Sequence, residues 1–202
     1  MLILLILLPL ISYTKEFRFQ LFGGIVYNLP TPLIIKQSGE KTIETTARYE
    51  TRPFETVPAP YYVVRLGLWD RGKAWELELL HTKLYLKNKP PQVQEFKITY
   101  GYNYLLLNRA WELGGFAYRL GGGLIITHPS SVIRGKKNRY VRYDLSGVGV
   151  QFGVEKFIKV KHFMLSLEGK LTGAYAEVPV ADGYAVVPNL ALHLTFGFGF
   201  YK

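Results

Sequence analysis

At 202 residues the chain has room for one domain and one sizeable core. It contains no cysteine, which excludes a disulfide framework, a thiolate metal site and a lipid-anchored N-terminal cysteine. A net charge of +10 points to nucleic acid, phosphate or a membrane surface as partner, and the N-terminal residues decide among these.

The chain opens "MLILLILLPLISYTKEF", an apolar run from Leu2 to Ile11 followed by Ser12 and Thr14. The run is shorter than the roughly 20 residues of a spanning helix and reads as a secretory signal peptide over residues 1–15. No Lys or Arg precedes it and no small-x-small site follows. A buried N-terminal helix is the competing reading, but nothing after Lys15 is patterned to pack with it. Removal of the leader takes the mature domain, residues 16–202, out of the cytoplasm and excludes nucleic acid as a partner.

After Lys15 no amphipathic helix pattern appears, and period-2 alternation recurs in eight segments. They run over residues 17–28, 61–69, 74–86, 94–107, 115–127, 143–155, 163–175 and 189–201. Each approaches or slightly exceeds the roughly 9–11 residues of a tilted strand crossing a bilayer. The connections 70–73, 108–114 and 156–162 are short, while 29–60, 128–142 and 176–188 are long; 87–93 falls between. Short turns at one end and long loops at the other is the transmembrane barrel pattern. The predicted fold is all-β, an eight-stranded antiparallel transmembrane up-and-down barrel with a polar, filled interior and both termini in the periplasm.

A soluble barrel also alternates, so the faces decide. One face carries Arg65 and Gly67; Lys97, Thr99, Gly101 and Asn103; Arg119, Gly121 and Gly123; Gln151 and Glu155; Glu168 and Lys170; His193 and Thr195. Glycines weaken a water-facing strand but make room for long charged neighbours inside a narrow barrel. The opposite faces are apolar rows, among them Phe96, Ile98, Tyr100, Tyr102, Tyr104 and Leu106, and Leu190 to Phe200. Exposed to water they exceed what soluble monomers tolerate; exposed to lipid they need no partner. Trp69, Trp75 and Trp111 all lie beside short turns, as an interfacial girdle requires.

The openings "FRFQLFGGIVYNLP" and closing "LHLTFGFGFYK" resemble the ends of small OmpA-type eight-stranded outer-membrane barrels. That resemblance implies insertion by the barrel-assembly machinery, contact with outer-membrane lipid and lipopolysaccharide, and a monomer. A departure is Lys202 after the final aromatic pair. A narrower likeness is to lipid A oxidase-like barrels, whose strand of acidic, apolar, His-x-Lys-x-Tyr form is matched by Glu78, His81, Lys83 and Tyr85.

That strand, "AWELELLHTKLYLKN", changes its polar side near residues 79–81. Either a bulge turns His81 and Lys83 inward, or the strand leaves the lipid there and parity is no longer dictated. Symmetry about Arg71 and Gly72 pairs Arg65 with Glu78 and Gly67 with Glu76. Glu76, Glu78, Arg65, Lys97, Arg119, Glu155, Glu168 and Lys170 are expected to form an ionic core that leaves little open channel. His81, Lys83 and Tyr85 are the catalytic candidates if the chain modifies lipid A, the Lys binding phosphate and the His acting as base or ligand.

No cofactor is indicated, and a metal site stays open: His162 falls at a periplasmic turn, and His81 with His128 lacks a carboxylate to complete a triad. "THPSS", residues 127–131, begins the third long loop and invites comparison with lipid A deacylases, but no third group orients its Ser and His. The loop continues with Arg134, Lys136, Lys137, Arg139 and Arg142 and no acid before Asp144. These five positive charges are expected to meet lipopolysaccharide phosphates. The Thr-rich 29–60 segment extends the first two strands, adheres, or forms a lid. The expected function is an envelope or surface barrel, with lipid A modification as the alternative.

Overall fold

A computed structural model describes residues 16–138 and 142–202; the expected signal peptide lies outside them. The strands are β1 (Glu16–Leu29), β2 (Thr31–Gln37), β3 (Ile43–Ala47), β4 (Tyr49–Glu50), β5 (Tyr62–Asp70), β6 (Lys73–Leu86) and β7 (Val93–Leu113). They continue with β8 (Phe116–Ile133), β9 (Lys136–Lys137), β10 (Asp144–Val160), β11 (Phe163–Val180), β12 (Gly183–Val186) and β13 (Asn189–Tyr201). The eight long strands, β1, β5, β6, β7, β8, β10, β11 and β13, each pair antiparallel with two neighbours, and the β1–β13 and β10–β11 ladders complete a ring. Ring closure removes the sheet edges that lipid does not tolerate.

The β5–β6 turn is Arg71 and Gly72, with φ of 48° and 72°. Positive φ at both central residues is the twist-matched hairpin turn. It sets Arg65 opposite Glu78 and Gly67 opposite Glu76, as the sequence symmetry predicts. The other two short connections are tighter than expected, because β7 continues to Leu113 and β10 to Val160. Alternation fails over these stretches, where the strands leave lipid and both faces meet polar surroundings, while the backbone ladder persists. The termini pair at this same end, Phe17 N–H donating to Lys202 O and Lys202 N–H to Phe17 O.

Inward and outward faces follow the sequence reading on β5, β8, β10, β11 and β13. β7 does not. Tyr102, Tyr104, Leu106 and Asn108 point inward and are fully buried, while Tyr100 is 51% exposed and Asn103 lies on the outer wall. The phenols explain the inversion: Tyr102 donates to Val187 O (2.9 Å) and Tyr104 to Asn189 Oδ1 (3.2 Å), partners that only the interior offers. Gly101, at φ 130°, sits in a bulge between Ile98 and Tyr102, above which Phe96 and Ile98 again face inward. Lys97 accordingly leaves the expected ionic core and pairs with Glu95 at 3.1 Å.

Trp75 and Trp111 face outward near the short turns with Phe116, Phe163 and Phe200. Trp69 is buried instead, because the inward parity of Arg65 and Gly67 carries it inside; a Cβ at Gly67 would lie 2.8 Å from its indole nitrogen. The second girdle is of tyrosine: Tyr27, Tyr100, Tyr143 and Tyr175 are exposed, and Tyr62 half-buried, at the opposite rim. Between the girdles the exterior is apolar.

Above the tyrosines the strands continue into a head. The upper parts of β6, β7 and β8, with β4 and β9, form one wall; β11, β12, β2 and β3, in that order, form the other. Leu33, Ile35, Leu84, Phe96, Ile98 and Val178 fill the space between as one buried cluster. The Thr-rich 29–60 segment thus extends the sheet as the β2–β3 hairpin. "THPSS" is likewise strand within β8, not loop. The interior is therefore polar only in its lower part, with an apolar head above.

Close packing inside gives a paired prediction. A Cβ at Gly153 would lie 2.7 Å from Glu168 Oε1 and 3.0 Å from Arg119 Cγ, whereas one at lipid-facing Gly169 meets nothing within 4 Å. Gly153→Leu is expected to cost about 1–3 kcal/mol in urea unfolding from lipid vesicles, and Gly169→Leu to stay within about 0.5 kcal/mol.

Candidate functional site

Alternation on strands around a narrow ring aims long polar side chains at one level of the lumen. Arg65 Nε donates to Glu78 (2.7 Å), its NH1 to Glu155 (3.2 Å) and its NH2 to both Glu168 oxygens (2.9 and 2.7 Å). Arg119 donates to Glu76 (2.9 Å), Glu155 (2.6 Å) and Glu168, and Lys170 to Glu78. Gln20 and Asn108 add donors to Glu155 (2.6 Å) and Glu78 (3.3 Å). All of these side chains are buried. Two arginines and a lysine thus neutralise most of four carboxylates, which burial requires. Seven of the eight expected ionic residues are here; Gln20 and Asn108 join them without a sequence signal, since neutral amides on alternating strands carry no distinguishing pattern.

The lumen is closed above and below this layer. Above, Tyr61 Oη meets His193 Nδ1 at 3.1 Å, His193 Nε2 meets Thr172 Oγ1 at 2.9 Å, and Asn189 donates to Asn28 Oδ1 at 2.9 Å. Below, the Arg18 guanidinium lies 3.9 Å from the Trp69 ring centre and donates to Glu112 at 2.5 Å.

His81, Lys83 and Tyr85 stay on the outward side of β6: the ladder with β5 is regular through Tyr62↔His81, and across the register shift with β7 between Thr82 and Leu84 the inward side still carries Leu80 and Leu84. Their apparent change of side arises because the strand has left lipid and the returning 51–61 segment covers it. Lys83 Nζ donates to Glu55 O (2.8 Å) and Val57 O (3.0 Å), and Tyr85 Oη to the Glu55 carboxylate (3.0 Å). Burial, then the hydrogen bond to Glu55 and its charge, push the Tyr85 phenol up to about 12, so it remains a donor at neutral pH. Lys83 and Tyr85 therefore hold this segment against the wall. His81 stacks on Tyr62 (centroids 5.1 Å apart, 8° between planes), and its Nδ1 lies 2.8 Å from Asn103 Oδ1.

The histidines do not converge: His162 is at the β10–β11 turn, His193 in the lumen, and His128 on the outer wall against Tyr100 and Tyr143. Among the described residues no group of three His, Cys, Asp or Glu is placed to hold a metal ion. In "THPSS", Ser131 faces inward and His128 outward, and Ser130 donates to Glu95 at 3.2 Å.

The basic segment is more compensated than its sequence suggests. Arg134 bonds Gln37 Oε1 and Lys41 O (2.6 Å each) and lies 3.4 Å from Glu40. Lys136 pairs with Asp182 at 2.8 Å and Arg142 with Asp144 at 3.7 Å. Lys137 is exposed, and Arg139 lies outside the described residues. The partners Glu40 and Asp182 come from distant loops, which adjacency in sequence does not show.

No protein-family model matches the chain, and no curated protein matches it. Solved structures do. The outer membrane protein AlkL superposes with a TM-score of 0.50 at 10% identity, over 94% of this chain and 90% of that one. Ail of Yersinia pestis (TM-score 0.45, 10% identity, 93% and 98% covered) and OprG from Pseudomonas aeruginosa (0.46, 13%, 92% and 95%) are also similar. The likeness to AlkL agrees with the fold, and the apolar belt between two aromatic girdles gives that fold a lipid-facing exterior. The chain has the fold of a transmembrane β-barrel.

Within the barrel, the charge layer is testable by removing one member. Arg65→Met leaves Glu78 and Glu168 short of their partner and is expected to cost about 3–5 kcal/mol in vesicle unfolding. Removing Glu78 as well, Arg65→Met with Glu78→Met, is expected to recover part of that loss; equal or additive losses would contradict the coupling.

Proposed function

We propose that this barrel is a non-porous envelope protein whose extracellular head presents cations to the phosphates of lipopolysaccharide. The observation that carries the reading is the lumen, filled at the levels of Trp69, the ionic layer, the Tyr61–His193 layer and the apolar head. A barrel so filled acts through its surface. At the tyrosine girdle, Arg48 and Lys87 flank a groove of about 470 Å³ that also borders Tyr27, and Lys89 and Lys137 are exposed beyond it. Cations just above the apolar belt stand level with lipid phosphates, where each contributes on the order of 1 kcal/mol. Arg134, Lys136 and Arg142 belong to the same surface but share their charge with acids of the head. Insertion by the barrel-assembly machinery and a monomeric state accord with a closed ring of this size.

Lipid A modification, the alternative, draws on His81, since Lys83 and Tyr85 are engaged with Glu55. Binding of purified barrel to immobilised lipopolysaccharide separates the readings together with lipid A mass spectra. The combined variant Arg48→Gln, Lys87→Gln, Lys89→Gln and Lys137→Gln is expected to bind at least about tenfold more weakly and with a shallower salt dependence. Lipid A from expressing and non-expressing cells is expected to be identical. Unchanged binding would overturn the phosphate contact, and a new lipid A species would favour the enzyme.

A further inference from the structure

Arg109 stands on the outward row of β7 between Leu107 and Trp111, with Trp75 opposite it on β6 and Leu120 opposite it on β8. All four neighbours are exposed to lipid, so the guanidinium sits within the aromatic girdle at the short turns and not beyond it. A charged side chain on the lipid face of a barrel destabilises it unless polar groups meet the charge. Here NH1 donates to Ala74 O at 3.1 Å, and the guanidinium carbon lies 5.2 Å from the Trp75 ring centre. Among the described residues Arg109 forms no ion pair and no second hydrogen bond, which leaves most of its donor fork unused.

The charge around it has the same sign. Lys73 lies opposite Trp111, and Lys156 lies opposite Phe116 with its Nζ donating to Gly115 O at 3.0 Å; both lysines are exposed. The nearby carboxylates are committed elsewhere: Glu112 bonds Arg18, and Glu155 belongs to the ionic layer of the lumen. Asp70 faces Lys73 across the β5–β6 hairpin and offsets that one charge. On the far side of the ring β1, β11 and β13 present Phe19, Phe163 and Phe200 at this rim. The positive charge of the lower wall is therefore one-sided, gathered between β6 and β10 at head-group depth.

We infer that Arg109 binds the phosphodiester of an anionic phospholipid in the leaflet at the short turns, with Lys73 and Lys156 favouring a head group of net negative charge. The planar fork matches two phosphate oxygens, and the Trp75 indole steadies the guanidinium. The acyl chains lie along Leu77, Leu107 and Leu120, which face lipid just inside the girdle. A zwitterionic lipid offers the same phosphate but brings an ammonium, which meets three cations and only Asp70 in return. This site rests on the membrane setting of the barrel and is independent of the phosphate contact at its head, which lies at the opposite rim.

Tryptophan fluorescence tests it in the folded barrel, because Trp75 and Trp111 face lipid beside Arg109 while Trp69 is buried. The barrel is inserted into vesicles of phosphatidylglycerol and phosphatidylethanolamine in equal proportions, with quenching bromines on the acyl chains of one lipid or of the other. Wild type is expected to be quenched more by brominated phosphatidylglycerol, corresponding to at least about fivefold enrichment at the site, the effect of one engaged cation. Arg109→Gln with Lys156→Gln, its heat-modifiable gel mobility intact, is expected to be quenched equally by the two lipids. Lys89→Gln with Lys137→Gln removes the same charge from the opposite rim and is expected to keep the wild-type bias. Equal quenching of wild type, or a bias that survives in the Arg109 and Lys156 variant, would overturn the site. Loss of the bias in the Lys89 and Lys137 variant would overturn it as well, by assigning the enrichment to overall charge.

Discussion

The buried ionic layer is the constraint on which the rest of this barrel depends. Eight strands enclose too little space for water to solvate charges, yet alternation delivers Arg65, Arg119, Lys170 and four glutamates to one level. Each charge must therefore be satisfied by another, and the partners lie on different strands. The network joins β5, β6, β8, β10 and β11 directly, and Gln20 and Asn108 bring in β1 and β7. Register, closure and the small residue at Gly153 all follow from keeping these groups in contact. A one-residue slip of any strand exposes a charge to lipid and strands its partners inside.

Outside, lipid imposes the complementary rule, and where lipid ends the rule lapses. Below the lower girdle β7 and β10 keep their ladders while losing alternation. Above the tyrosines the interior becomes apolar, and outward positions on β6 carry Lys83 and Tyr85, which fasten a loop. The basic excess is likewise divided between the rims. Lys156 lies 4.6 Å from the Phe116 ring centre and Lys159 4.4 Å from that of Tyr201 at the lower one, while Arg48, Lys87 and Lys137 stand on the head. Net charge alone therefore overstated the force aimed at the outer surface.

Much of the fold was legible because one period and one turn suffice for it. Alternation gave eight strands, and Arg71 and Gly72 gave the register that pairs Arg65 with Glu78. The inward face of β7 is not legible in the sequence, since tyrosine suits either a lipid-facing wall or a lumen that offers acceptors, and only Val187 O and Asn189 reveal which. Trp69 lies inside, not in the girdle, for a similar reason: proximity to a turn does not give parity. The candidate site was half legible. His81, Lys83 and Tyr85 stood out as a change of polar side, but its cause, a segment folding back so that Glu55 and Val57 reach Lys83, is a contact across 26–28 residues that no local pattern encodes. The ion pairs of Arg134 and Lys136 were hidden in the same way.

A lumen packed along its length should pass no ions, and conductance across a planar bilayer measures that most directly. Purified barrel is predicted to insert without stable current steps. Reproducible ohmic steps from the folded protein would contradict the filled lumen and, with it, the proposal that this barrel works through its surface.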